Sequence, residues 1–126
     1  MVESQRGARE TTPPTVIRLP AEIDVTNVAR IGEELGSAFA PGVTTVIADM
    51  TATTFCDSSG TRELLLAHHK AAASSIELRI VMPSAGVRRI FELTGLDQVL
   101  AIYPSLAAGR PDAPMDPAGR EAKPAG

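Results

Sequence analysis

The residues of this chain best suited to chemistry stand together at Cys56-Asp57-Ser58-Ser59-Gly60. Two hydroxyls stand beside a carboxylate where an apolar stretch gives way to a helical one. The free N–H groups of a helix start favour an oxyanion at such a place. Three uses are open to the tetrad Asp57-Ser58-Ser59-Gly60: a serine nucleophile, a phosphate-accepting hydroxyl, or a helix cap.

Nucleophilic catalysis needs a base within reach of the serine and a third group to orient that base. The only histidines are His68 and His69. On a helix that follows the tetrad they lie about 13–16 Å from the serines at 1.5 Å rise per residue. Asp57 is adjacent, but an ordinary carboxylate is a weak base toward a hydroxyl. There is no Gly-x-Ser-x-Gly elbow and no Gly-x4-Gly-Lys-Ser/Thr phosphate loop. His68 and His69 point about 100° apart on a helix and do not chelate together, so one is expected on the apolar side and one in solvent. The single Cys56 excludes an internal disulfide and a multi-thiolate metal site. It reads as a small core hydrophobe, although a neighbouring helix start can lower a thiol pKa.

Phosphoacceptance fits the local physics. A phosphoserine at a helix start meets free N–H groups and the positive end of the dipole, so it need not unfold anything. Beside Asp57 it would gather negative charge on one corner and turn away a partner matched to the neutral hydroxyl. Capping by Ser58 or Ser59 is the commoner use of such residues. The tetrad alone leaves both uses open.

The rest of the chain must hold that corner. At 126 residues it is long enough for one domain with a core of its own. With no Trp, one Tyr and three Phe, that core is built from Val, Ile, Leu and Ala. A net charge of −3 without a basic stripe argues against direct nucleic-acid binding. No apolar run reaches the roughly 18–20 residues of a membrane helix, and residues 1–14 lack the apolar segment of a secretory signal. A cytoplasmic protein that does not engage a membrane is the expectation.

Residues 1–12 are polar and precede Pro13-Pro14, which predicts a flexible arm. Thr15–Leu19, Val43–Met50, Ile76–Met82 and Val99–Tyr103 read as strands, with Val43–Met50 apolar on both faces and therefore central. Ala21–Asp24 reads as a connector. Val28, Ile31, Leu35 and Phe39 recur at helical spacing, with Asp24 or Thr26 as the cap. Within that helix Gly32 and Gly36 suggest close approach to a sheet. Leu64, His68 and Ala71-Ala72 stack on the helix after the tetrad, and Ser84 caps a helix that Gly95 closes. The last ordered turn falls near Pro104–Ala108. Residues 109–126 are Pro-, Ala- and Gly-rich without periodicity, which predicts a disordered tail. Alternating strands and helices imply one α/β domain over residues 13–108, with a mixed, mostly parallel sheet of four to five strands covered by helices.

Four stretches resemble one family. Ala21-Glu22-Ile23-Asp24, Val46-Ile47-Ala48-Asp49-Met50, Phe55-Cys56-Asp57-Ser58-Ser59-Gly60 and Phe91-Glu92-Leu93-Thr94-Gly95-Leu96 occur in the order found in STAS domains. Within those domains they resemble the bacterial anti-sigma factor antagonists. The resemblance runs from Thr15 to Leu106. It implies a protein without enzymatic activity or cofactor, one that takes part in a partner-switching stress response. Unphosphorylated, such a protein binds an anti-sigma factor that is also a serine kinase of the GHKL-type ATPase class, and so releases a sigma factor. Phosphorylation of the first signature serine, here Ser58, breaks the complex, and a PP2C-type phosphatase restores it. Asp24, Asp57 and Ser59 carry over as partner-facing neighbours of Ser58, and Gly60, Thr61 and Arg62 extend that surface. The alternative is a STAS module that is never phosphorylated and acts as scaffold or sensor in a larger complex. Two departures bear on the site. Ala21 stands where the family usually has Gly, which implies a reshaped turn before Asp24. Arg62 is a cation where an apolar residue is common, placed to pair with Asp57 or with a phosphate.

Overall fold

The structure is a computed structural model, and it describes residues 13–111. The arm expected over residues 1–12 and most of the tail expected after residue 108 lie outside the described residues. Strands β1 (Thr15–Arg18), β3 (Thr45–Asp49), β5 (Glu77–Val81) and β6 (Ala101–Tyr103) form a four-stranded sheet in the order β1-β3-β5-β6. Every pairing is parallel, with Val46 between Thr15 and Leu78, and Ala48 between Ile17 and Ile80. Two further strands, β2 (Glu22–Ile23) and β4 (Phe55–Cys56), pair with each other in a separate parallel sheet. The connector expected at Ala21–Asp24 is thus partly a strand.

Parallel strands need crossover connections, and helices α1 (Val28–Ala38), α2 (Ser58–Ala73) and α3 (Ala85–Leu93) supply them. Strand β3 is buried at all five positions, as expected for a central parallel strand. Val46, Ala48, Leu78, Ile80 and Met82 meet Ile31 and Leu35 of α1, Leu64, Ala67 and Ala71 of α2, and Val87 and Phe91 of α3 in one core. Burying an aliphatic side chain of this size contributes about 1.5–3 kcal/mol. The buried pair Ile31 and Leu35, four residues apart, therefore suffices to fix which face of α1 turns inward.

Gly32 faces α2, not the sheet. A Cβ there would meet the carboxylate end of the Glu63 side chain, which is free to swing aside, whereas Gly36 has open space around it. Helix α1 is capped neither by Asp24 nor by Thr26. Asn27 occupies the N-cap, and its side chain secures the preceding loop by accepting from Asp24 N–H (3.1 Å) and donating to Glu22 C=O (2.8 Å). Helix α2 ends in a Schellman arrangement: Ile76 N–H donates to Ala71 C=O (2.8 Å) and Ser75 N–H to Ala72 C=O (3.0 Å). The residue that turns the chain there is Ser75, at φ 59°.

A short helix α4 (Leu106–Gly109) follows β6 and packs on β5 and β6. Gly109, where the tail was expected to begin, is buried, and a Cβ on it would lie 2.9 Å from Val81 Cγ2. Arg79 Nη1 donates to Gly109 C=O (3.1 Å) while its guanidinium carbon stands 5.3 Å from the centre of the Tyr103 ring. Among the described residues no helix is long and apolar enough to cross a membrane.

Candidate functional site

The tetrad sits at the start of α2, where the β2–β4 pair delivers it. Two connections are stitched together there. Thr53, itself buried, donates its hydroxyl to Pro20 C=O (2.8 Å), and Thr54 N–H donates to Ala21 C=O (2.8 Å). Asp57 N–H then donates to Ile23 C=O (3.1 Å), one step beyond the Ile23–Cys56 pairing. The Asp24 and Asp57 loops leave this small sheet from neighbouring strands. Ala21 accommodates its place without a left-handed backbone, since Ser75 is the sole non-glycine residue of positive φ among the described residues.

The helix cap is Asp57, not either serine. Its Oδ1 accepts from Gly60 N–H (3.1 Å) and from the Ser59 hydroxyl (2.6 Å). An N-cap carboxylate bonded to the third residue of the helix satisfies one of the orphan donors, and the helix dipole adds to the effect. The Ser59 hydroxyl, followed by the backbone N–H groups of Gly60 and Ser59, holds the Asp57 carboxyl below its ordinary value; partial desolvation opposes this. Asp57 and Ser59 are half-buried. Ser58 is exposed, and its hydroxyl has no hydrogen-bond partner among the described residues.

Gly60 and Thr61 do not share that exposed surface. Both are buried, and Thr61 donates its hydroxyl to Ser58 C=O (2.9 Å). Gly60 faces the β2–β4 pair so closely that a Cβ would lie 2.6 Å from Cys56 Sγ and 2.7 Å from Ile23 Cγ2. A real Cβ does not approach its neighbours to under 3.0 Å, so the absence of a side chain at residue 60 sets how near α2 lies to the small sheet. Their place in a partner-facing surface is therefore corrected to one of support beneath it. Cys56 is buried, and burial, reinforced by the Asp57 charge, pushes its thiol up to about 11. Desolvation outweighs any lowering by the helix start, and the thiol is a core group.

Arg62 is exposed one turn beyond Ser58, and no ion pair joins it to Asp57 among the described residues. Asp24 is half-buried and accepts at Oδ1 from both the N–H and the hydroxyl of Thr26. His68 is half-buried and His69 exposed, their rings 5.3 Å apart and edge-on. No three His, Cys, Asp or Glu side chains converge on a metal-sized space among the described residues.

Two apolar side chains beside the tetrad escaped the sequence reading. Val25, next to Asp24, is 73% exposed, and Phe55, two residues before Asp57, is 50% exposed. Glu22 pairs with Phe55 across the small sheet. The exposed corner is therefore apolar at Phe55 and Val25 and acidic at Glu22, Asp24 and Asp57. A Phe pointing away from the core would have been the sequence signal, but two-residue strands show no alternation from which to read it.

An α/β domain with a parallel sheet and a capped, exposed serine at one carboxyl-end loop defines the class. The chain belongs to the STAS domain family, whose sequence profile matches residues 5–109. It is 28% identical over 91 residues to the anti-sigma-F factor antagonist RsfB of Mycobacterium tuberculosis, covering 72% of this chain and 74% of RsfB. An anti-sigma factor antagonist from Mycobacterium paratuberculosis superposes with a TM-score of 0.65 at 26% identity, covering 72% of this chain and 77% of that one. The anti-sigma factor antagonist SpoIIAA in its unphosphorylated form superposes at 0.60 with 31% identity, covering 73% of this chain and 82% of SpoIIAA. The phosphorylated form of that Bacillus protein superposes at 0.53, with 31% identity over 69% of this chain and 79% of SpoIIAA.

Proposed function

We propose that this protein is an anti-sigma factor antagonist whose switch is the Ser58 hydroxyl. One observation carries the reading: at the start of α2 Asp57 and Ser59 hold each other in the cap, while the Ser58 hydroxyl stands exposed without a partner. A kinase can take that hydroxyl without dismantling the helix. The similarity to RsfB and to SpoIIAA, the latter known in both phosphorylation states, supports the same role.

In this reading the unphosphorylated corner docks on an anti-sigma factor that is also a serine kinase of the GHKL-type ATPase class. Phe55 and Val25 supply apolar contact, and Asp24 and Asp57 supply acidic contact. Phosphate on Ser58 adds nearly two negative charges beside Asp57 and three acceptor oxygens where the partner met one hydroxyl. The complex parts, a sigma factor is again sequestered, and a PP2C-type phosphatase resets the switch. The protein itself performs no catalysis.

The test is phosphorylation of the full chain by the cognate kinase with ATP, with the label mapped by mass spectrometry. A single label on Ser58, lost in Ser58→Ala, is expected, and Ser58→Ala should keep its affinity for the kinase. Label on Ser59, or undiminished labelling of Ser58→Ala, overturns the assignment.

A further inference from the structure

A hollow of about 580 Å³ opens at the carboxyl ends of the four-stranded sheet. Ligands of open parallel sheets bind at this end, and the volume lies within the roughly 300–1,000 Å³ of small-molecule sites. Its walls are apolar at Leu19, Ala52, Pro83, Pro104 and Leu106. Two polar donors face this apolar lining with capacity to spare. Arg18, which ends β1, is exposed, and its guanidinium has no hydrogen-bond or ion-pair partner among the described residues. Ser105 accepts from Ala108 N–H (3.1 Å), which leaves its own hydroxyl proton free to donate.

Asp49 stands beside Arg18 in the strand register and also lines the hollow, yet the two do not form an ion pair. The Asp49 carboxylate turns instead onto Thr51, accepting from its N–H (3.0 Å) and its hydroxyl. The guanidinium therefore remains available, while a fixed negative charge limits what it can hold.

From these features we infer that the hollow binds a small monocarboxylate with an apolar body. The carboxylate would take the planar fork of Arg18, which suits two parallel N–H···O bonds, and the Ser105 hydroxyl. The chain of the ligand would cover the apolar walls. A phosphate dianion is disfavoured because one guanidinium cannot balance it against the nearby Asp49 carboxylate. The hollow shares no lining residue with the Ser58 corner, and the inference does not depend on the role assigned there.

The probe is sodium octanoate, titrated into the full chain below its micelle concentration and followed through backbone amide NMR shifts. Saturable shifts at Leu19, Ala52, Ser105 and Leu106 are expected, and octylammonium chloride should produce none. Arg18→Gln changes an exposed side chain with no partner and should leave the spectrum of the folded protein otherwise intact. It should weaken octanoate binding by about fivefold or more, as loss of a charge-assisted pair does. Absence of saturation, an equal response to octylammonium, or unchanged affinity in Arg18→Gln overturns the inference.

Discussion

Gly60→Ala tests the account of the tetrad most directly, because the local preferences and the packing point in opposite directions. In a helix Ala is favoured over Gly by up to about 1 kcal/mol. Against this, the new Cβ would stand 2.6 Å from Cys56 Sγ and 2.7 Å from Ile23 Cγ2, both buried. Ile23 and Cys56 are paired across β2 and β4, so neither can recede without the other. Overpacking of this kind costs about 1–3 kcal/mol, and here both close neighbours are anchored. The upper end of that range, about 3 kcal/mol, less the helix preference leaves a net loss of about 2 kcal/mol, which for a domain of this size lowers Tm by roughly 8–15 °C. Urea and thermal unfolding followed by circular dichroism measure it. The double variant with Cys56→Ala removes one of the two clashing atoms, so Gly60→Ala should cost about 1 kcal/mol less in that background. A Gly60→Ala protein within about 0.5 kcal/mol of wild type, or strict additivity with Cys56→Ala, would refute the reasoning.

Asp57→Asn keeps a capping side chain but loses the depressed carboxyl. A folded pKa below the unfolded one gives stability that is complete above the ordinary value of 3.8 and is lost as pH falls through the folded value. Wild type should therefore exceed Asp57→Asn at neutral pH and converge on it in acid; a gap that widens in acid contradicts the cap assignment. In protein phosphorylated on Ser58, Arg62 lies four residues on, a spacing at which an anion followed by a cation attracts by about 0.3–0.5 kcal/mol. Arg62→Leu should raise the second pKa of that phosphate in a phosphorus NMR titration, and an unmoved midpoint would show that the two do not meet. Phe55→Ala should weaken binding to the anti-sigma factor by about 10- to 30-fold with a stability change below about 1 kcal/mol, as calorimetry and urea unfolding can separate. Ser75→Gly relieves a left-handed serine at the end of α2 and should stabilise the domain by about 0.5–1 kcal/mol, which the urea midpoint reports.

The large features were legible because periodicity carries over many residues. Strand β3 announces its central place through an unbroken apolar run, and α1 through Ile31 and Leu35. The β2–β4 sheet was not legible, since two residues per strand give no period and its register depends on hydrogen bonds to Pro20 and Ala21 across the fold. The same limit hid Phe55. Within the tetrad, the residue types pointed to a helix start, but Ser58, Ser59 and Asp57 are all good caps. Only the geometry settles that Asp57 takes the role and that Ser59 supports it. Gly32 and Gly36 suggested close approach to a sheet, but Gly32 lies against the side chain of Glu63, thirty-one residues away along the chain, and Gly36 against open space.

Division of labour at the start of α2 bears on how such a protein can diverge. The residue proposed for modification contributes no side-chain bond to the fold, and the residues that secure the helix are not the ones proposed to be modified. A single codon change at Ser58 could therefore silence the switch, or fix it in one state, and leave a domain that folds as before. Descendants of this chain could keep the shape while exchanging a reversible signal for a permanent one, and the preserved fold would carry no trace of the exchange.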